Sequence, residues 1–279
     1  MAEEVTERVS RYIHDGSDQD LRRLLRIAEG NAEAARAAFR GVGVQHGWNA
    51  IDCGCGPIGG LVVLAEMVGP AGRVAGVDVS PAAVQRARAV VAALELGNVE
   101  VIAGDLHDLG AAALGGPFDL AFTRNFLTHQ AGPVRTLRRI ADLLRPGGWL
   151  VAQEPLPSPP PRSHPHLEAV TGAWDLWREL LHRAGVPAGA VEDLPRSARE
   201  AGFEVTATYG SFLILDPELG FENFAATIAT AAERGIQLGI AAERIDGLVR
   251  DLHAAKDGGY EWATSPFYLG LALRKPAAG

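Results

Sequence analysis

Two cysteines, Cys53 and Cys55, are all that 279 residues contain, which leaves no disulfide framework to build. Two positions apart at the end of an apolar run, they are poorly placed to bridge each other and read as strand-end packing. Positive charge is also short: 26 Lys and Arg stand against 34 Asp and Glu, a net −8. That balance argues against a grip on nucleic acid by phosphate neutralisation. Arginines gather in "VRTLRRIADLLRP", but they alternate with leucines at helical spacing, as on a solvated helix face. No run approaches the roughly 20 apolar residues of a membrane span. No charged start leads into an apolar stretch with a small-residue cleavage site, so no secretory signal is read. The expectation is a soluble, cytoplasmic protein. No DDxxD-like acidic cluster or His/Cys grouping suggests a metal, and no internal repeat is evident.

The composition is 47% apolar and 22% charged, which marks a globular chain of one large domain or one domain with an appended cap. Residues 3–40 read as helical. Ser17 is a candidate N-cap, with Asp18 and Asp20 in the first turn, and Leu21, Leu24, Leu25 and Ala28 make an apolar stripe. From residue 48 short apolar runs alternate with helical segments. Strands are expected at 48–54, 73–79, 99–105, 118–124 and 149–155, with helices at 60–69, 80–95 and 132–148. Such alternation predicts βαβ units and a parallel sheet covered on both faces. The proline-rich "PLPSPPPRSHPH" (155–166) reads as a stiff connector leaving the sheet. A helix at 167–184, an αβ unit at 194–215, helices over 217–256 and a last strand, "SPFYLGLALRK", follow.

"AIDCGCGPIGG" joins the first strand to the first of these helices, and Gly54, Gly56 and Gly59 spell G-x-G-x-x-G. Glycines there allow close backbone approach to a ligand beyond the strand ends. The pattern alone does not choose between a dinucleotide and another adenosine cofactor. Asp52 chooses, since a carboxylate at the strand end repels a diphosphate and welcomes a cationic amino group. Asp78 ends the next strand, placed for two ribose hydroxyls, and Asp105 ends the third, placed for an adenine amino group. S-adenosylmethionine presents ammonium, carboxylate, ribose and adenine, and no phosphate.

The order "AIDCGCGPIGG", "GVDVS", "AGDLHDL", "FDLAFTRNFLTHQ", "LLRPGGWLVAQEP" resembles the class I S-adenosylmethionine-dependent methyltransferases over residues 45–155, and "REAGFEV" with the terminal strand extends the likeness. Ile58 stands where that family commonly has its third glycine, with Gly59 displaced by one. The resemblance implies a Rossmann-like α/β fold: seven strands, mostly parallel, with the last antiparallel. It implies Gly54 and Gly56 at the methionine part, Asp52 near its ammonium, and Asp78 on the ribose. Val79 would lie on the adenine, Asp105 and Leu106 would frame it, and Arg124 and Asn125 would line the site. S-adenosylhomocysteine would be the product and a homodimer the assembly.

"RYIHDGSDQDLRRL" resembles the N-terminal segment of actinobacterial natural-product methyltransferases, in which a helix folds over the cofactor as a lid. The expected organisation is therefore a lid over 1–44 and a methyltransferase domain over 45–279, with substrate-cap insertions at about 156–190 and 217–262. Candidates for contact with the acceptor, or for a base, are Glu154 at the fifth strand's end, His129 after the fourth, and Tyr12 and His14 in the lid. Trp174, Trp177, Phe221 and Tyr260, with Phe224 and Trp262 beside them, are candidates for an apolar acceptor pocket. The expected activity is methyl transfer to the carbon, oxygen or nitrogen of a small, largely apolar metabolite, indole- or phenol-like, in secondary metabolism. Prenyl C-methylation is the alternative. An NAD-dependent oxidoreductase and a non-catalytic binding protein of the same fold are the rivals from other classes.

Overall fold

The computed structural model describes residues 18–187, 189–256 and 261–277, with backbone alone for 18–24, 230, 231 and 256. Ser17 and the lid residues Tyr12 and His14 lie outside them, as does Tyr260. In chain order the elements are α1 (Asp18–Gly41), β1 (Asn49–Cys53), α2 (Leu61–Val68), β2 (Arg73–Asp78), α3 (Pro81–Ala93), β3 (Val99–Ala103) and β4 (Phe118–Arg124). A single 3-10 turn (Leu127–His129) precedes α4 (Pro133–Leu143) and β5 (Leu144–Pro155). Then come β6 (Ser163–His164), α5 (Glu168–Arg183), α6 (Leu194–Glu200), β7 (Glu204–Ser211) and β8 (Ile214–Leu215). The chain continues through α7 (Pro217–Gln237), α8 (Ala242–Lys256), β9 (Trp262–Thr264) and β10 (Tyr268–Arg274).

Seven strands form one sheet in the order β3-β2-β1-β4-β5-β10-β7. The first five are parallel. β10 runs against β5, because Lys275 N donates to Gly148 O at 2.9 Å while Leu156 N donates to Phe267 O at 2.7 Å. The order reverses direction at β1, so the loops after β1 and β4 leave adjacent strands on the carboxyl edge, where ligands bind in such sheets. The helix expected over 132–148 stops at Leu143, and "LRPGG" opens β5. Phe118 pairs with Leu144 but Leu120 with Trp149, so the extra residues bulge, with Gly147 at φ +75.

Among the described residues the chain divides into two compact units: the first holds the residues up to Glu154 with Asp193–Tyr209 and those from Leu269 on, and the second holds Pro155–Glu192 and Gly210–Tyr268. In the first unit Leu61, Val63, Leu64, Ala65 and Val68 of α2 are all buried, as expected of a helix apolar on most sides. α3 opens as its sequence predicts: Pro81 is its first residue, and the Ser80 hydroxyl accepts from Ala83 N at 3.3 Å.

The C-terminal half of α1, part of the stretch expected as a lid, packs into the core of the first unit. Ala35 and Phe39 are fully buried, in one core with Leu61, Leu64 and Phe122. The Phe39 ring meets that of Phe122 edge-on at 5.2 Å. An apolar stripe looks the same whether it closes over a ligand or over a sheet.

The second unit has its own core of Val170, Leu176, Leu180, Phe221, Phe224, Ile228 and Leu252. It also carries a small sheet, β6-β9-β8, which was not expected from the sequence. Strands of two or three residues are too short to show a period.

Candidate functional site

β1 carries Asp52 between β2 and β4, opposite Gly76 on one side and Phe122 on the other. The loop that follows turns through three left-handed glycines: Gly54 at φ +73, Gly56 at +55 and Gly59 at +49. Only glycine adopts that conformation cheaply. Space is as restrictive as backbone. A Cβ on Gly54 would lie 2.3 Å from the Phe126 ring, and one on Gly59 would lie 2.3 Å from Cys55 O and 2.5 Å from Asp52 Oδ2. Nothing lies within 4 Å of the same position on Gly56, so the loop is open there. Ile58, where the third glycine of the resembling family was expected, is buried beside Leu25 and Val90.

Carboxylates hold this loop from below. Asp52 Oδ2 accepts from Gly60 N at 2.6 Å, and Asp78 Oδ2 accepts from Gly56 N at 2.9 Å. Asp78 Oδ1 accepts from Ser80 N at 2.8 Å, which ties the end of β2 to α3 as well. Asp52 is buried, and burial pushes its carboxyl up to about 7, against the pull of the Gly60 N–H and the Arg124 guanidinium. Arg124 donates to Gly59 O at 3.1 Å and lies over the Phe122 ring. Cys53 and Cys55 are buried, and burial raises both thiols, which leaves them inert.

Val79 follows Asp78 with 72% of its surface exposed, an apolar side chain with nothing to cover it. After β3, Asp105 is exposed and its carboxylate accepts from His107 N at 2.8 Å, while Leu106 is buried. Arg139 of α4 donates to Leu106 O at 2.9 Å and steadies this loop.

After β4 the chain makes its one other left-handed step in this region, Asn125 at φ +55, with an exposed side chain. Its N–H donates to Gln153 O at 3.2 Å. The next three amides, of Phe126, Leu127 and Thr128, reach the Glu154 carboxylate at 3.4, 3.1 and 3.1 Å. Glu154 is completely buried. Burial pushes its carboxyl up to about 7, opposed by those N–H groups. Glu154, expected to face an acceptor, directs its oxygens into protein backbone. His129 closes the turn with an exposed side chain.

In the second unit the aromatic candidates are also mostly core. Trp174 is 5% exposed, stacks on Trp177 at 4.2 Å and donates through Nε1 to Pro157 O at 2.9 Å. Phe221 is 2% exposed in the helical core. Trp177 is half-buried.

The structure thus brings Asp52, the glycine loop, Asp78, Arg124 and Asn125 onto one sheet edge. Sequence reasoning passed over Phe126, Gln153 and Gly60, which lock that edge together. Phe126 meets Gly54 from a distant part of the chain, and the other two act through backbone atoms, which leave no trace in residue type. No described helix is long and apolar enough to cross a membrane. Among the described residues no group of three or more His, Cys, Asp or Glu could hold a metal ion.

Comparison with known proteins bears on this edge. A family profile described as a methyltransferase domain matches residues 45–202. Nocamycin O-methyltransferase of Saccharothrix syringae is 30% identical over 280 residues, covering 88% of this chain and 92% of its own length. An uncharacterised 37.1 kDa protein in transposon TN4556 of Streptomyces fradiae is 32% identical over 238 residues, 81% of this chain. The chain spans 61% of that relative's length. Among solved structures, Haemonchus contortus phosphoethanolamine N-methyltransferase 2, in complex with phosphomonomethylethanolamine and S-adenosylhomocysteine, superposes with a TM-score of 0.51 at 18% identity. It covers 88% of this chain and 52% of its own, a likeness of fold.

Proposed function

The chain belongs to the methyltransferase domain family, and from that premise we propose that it moves a methyl group from S-adenosylmethionine to a small, largely apolar or aromatic metabolite. S-adenosylhomocysteine is the second product, and the setting is secondary metabolism.

One observation carries the cofactor reading. The Gly56 and Gly60 amides, which a diphosphate would need at this loop, already donate to Asp78 and Asp52. A diphosphate brought there would meet two carboxylates in place of free N–H groups. A phosphate-free adenosine ligand with a cationic amino end fits that charge pattern, the open side of Gly56 and the uncovered Val79. On this reading Gly54 and Gly56 admit the methionine part, Asp52 favours its ammonium, and Asp78 and Val79 take ribose and adenine. Asp105 and Leu106 frame the adenine, and Arg124 and Asn125 line the remaining side.

When bound, the cofactor supplies a methyl group already activated by its sulfonium. The chain's own task is then to hold the acceptor in line, about 3 Å from the reacting carbon, with water excluded. A base is required only where the acceptor must lose a proton. His129, exposed at the turn, and Tyr12 and His14 are the candidates for that role; Glu154 is not. An oxygen acceptor comes first, supported by the O-methyltransferase matched over most of both chains. Indole-like acceptors follow, and prenyl C-methylation is the alternative.

Calorimetry with S-adenosylhomocysteine and with NADH tests the cofactor. Binding of the first alone is expected; binding of NADH alone overturns the reading. Labelled donor offered with phenols, indoles and prenyl diphosphates then tests the acceptor. Label in phenols is expected, and label in prenyl diphosphates alone overturns it.

A further inference from the structure

Glu154 is a buried carboxylate that the proposed chemistry does not use. Burying an ionisable group costs several kcal/mol unless hydrogen bonds satisfy it. Here three successive backbone amides do so, all from the turn after β4. The first of the three belongs to Phe126, and the Phe126 ring lies flush against Gly54, too close to admit even a methyl group.

Resting on the cofactor reading above, we infer that Glu154 is a positioning residue for the cofactor loop: it fixes the Phe126–Thr128 turn, and Phe126 in turn fixes the backbone path at Gly54. The contact chain is continuous: carboxylate to amide, amide to ring, ring to glycine. The neighbouring groups restrain the same turn from its other sides. Asn125 N donates to Gln153 O, and Gln153 Nε2 donates to Tyr209 Oη at 3.1 Å. Phe126 O accepts from Gln130 Nε2 at 3.3 Å, and Gln130 Oε1 accepts from the Thr136 hydroxyl at 3.1 Å. With the Thr136 proton given to Gln130, His107 Nε2 must be the donor in its 3.3 Å contact with Thr136 Oγ1. That last link reaches the loop carrying Asp105 and Leu106. The turn after β4 thus lies between both proposed halves of the cofactor site, and Glu154 is its one anionic anchor.

An anchor and a base differ in what they leave behind. Removing a base from contact with the acceptor leaves S-adenosylhomocysteine affinity intact; removing an anchor of the loop does not. Glu154→Gln keeps the shape but turns an –NH2 toward amide donors, so at least one N–H loses its acceptor. Glu154→Asp keeps both oxygens one methylene short. Phe126→Leu leaves Glu154 and every backbone amide in place and removes only the ring from Gly54.

Calorimetry with S-adenosylhomocysteine on the full chain, with thermal unfolding recorded for each variant, tests the inference. Expected is a Kd about tenfold higher for Glu154→Gln, a smaller rise for Glu154→Asp, and a rise of about tenfold for Phe126→Leu. The double variant Glu154→Gln with Phe126→Leu should be no weaker than the weaker single variant, since both act through one contact. Unchanged affinity in a folded Glu154→Gln, tighter binding by Glu154→Gln than by Glu154→Asp, or full additivity overturns the inference. If Glu154→Gln does not fold, unchanged affinity in Phe126→Leu overturns it alone. If the unaltered chain binds no S-adenosylhomocysteine, the functional reading falls and takes this inference with it; if the unaltered chain binds and the variants bind as well, only this inference falls.

Discussion

A methyl group added at Gly59 would sit against the Cys55 carbonyl and the Asp52 carboxylate, while one added at Gly56 would touch nothing within 4 Å. Both glycines have positive φ. Their substitutions should therefore separate fold from binding. Gly59→Ala forces backbone atoms apart in addition to the left-handed strain, a loss of about 2 kcal/mol or more. Gly56→Ala bears the strain alone, about 1–2 kcal/mol, but fills the open side of the loop. Thermal unfolding should show Gly59→Ala as the less stable variant. Calorimetry should show Gly56→Ala, still folded, losing S-adenosylhomocysteine affinity by about tenfold or more. Equal stability of the two with unchanged affinity in Gly56→Ala would refute the assignment of the open side.

Asp52 and Glu154 make the same edge sensitive to pH. Both carboxyls are raised to about 7 by burial, from ordinary values of 3.8 and 4.5. A raised carboxyl binds its proton more tightly in the folded chain than in the unfolded one. Folding stability from these groups is thus greatest below about pH 4 and falls as pH rises to about 7, where it is gone. Ligand affinity has the opposite sign. An ammonium beside Asp52 favours the ionised form, so S-adenosylhomocysteine binding should tighten as pH rises from about 5.5 through about 7, and then level off. Calorimetry across that range checks it, and Asp52→Asn should flatten the dependence. A flat profile in the unaltered chain removes Asp52 from the ammonium site.

At the scale of elements, the sequence spelled out most of the first unit. Four strands and two helices lie within two residues of their expected bounds, because each shows a clear period and Ser80-Pro81 marks a helix start by chemistry. β5 begins five residues earlier than expected, since "RPGG" is turn chemistry used inside a bulged strand. The site was legible as residue types at strand ends: Asp52, Asp78, Arg124 and Asn125 do share one edge. What each oxygen does was not legible, because Glu154 and Asp52 bind backbone amides, and amides are the same at every position. The role of α1 was not legible either. Phe39 is fully buried against Phe122, so Phe39→Ala should cost about 3–5 kcal/mol as a cavity beneath the sheet. Chemical denaturation measures it. A loss under about 1 kcal/mol would return this stretch of α1 to the role of a detachable lid.

At the scale of the whole molecule, each of the two units has its own buried core. The first unit carries every residue assigned to the cofactor in the proposed function. The second unit draws on two segments with Asp193–Tyr209 of the first between them, which is why a reading from one end of the chain sees insertions rather than a unit. Its aromatics were expected to line an acceptor pocket because they recur at helical spacing outside the sheet. Trp174 and Phe221 show the other meaning of that spacing: a face turned inward. Phe221→Ala is the sharper test of the two readings, since Phe221 packs among Val170, Phe224 and Leu252 with 2% of its surface exposed. As a core residue it should cost about 3–5 kcal/mol of stability on truncation, with S-adenosylhomocysteine affinity within about twofold of the unaltered chain. As a pocket residue it would leave the melting temperature in place and raise KM for the acceptor instead. Melting curves and acceptor kinetics on one preparation tell these apart, and a stable variant with a raised KM would put Phe221 back in the pocket.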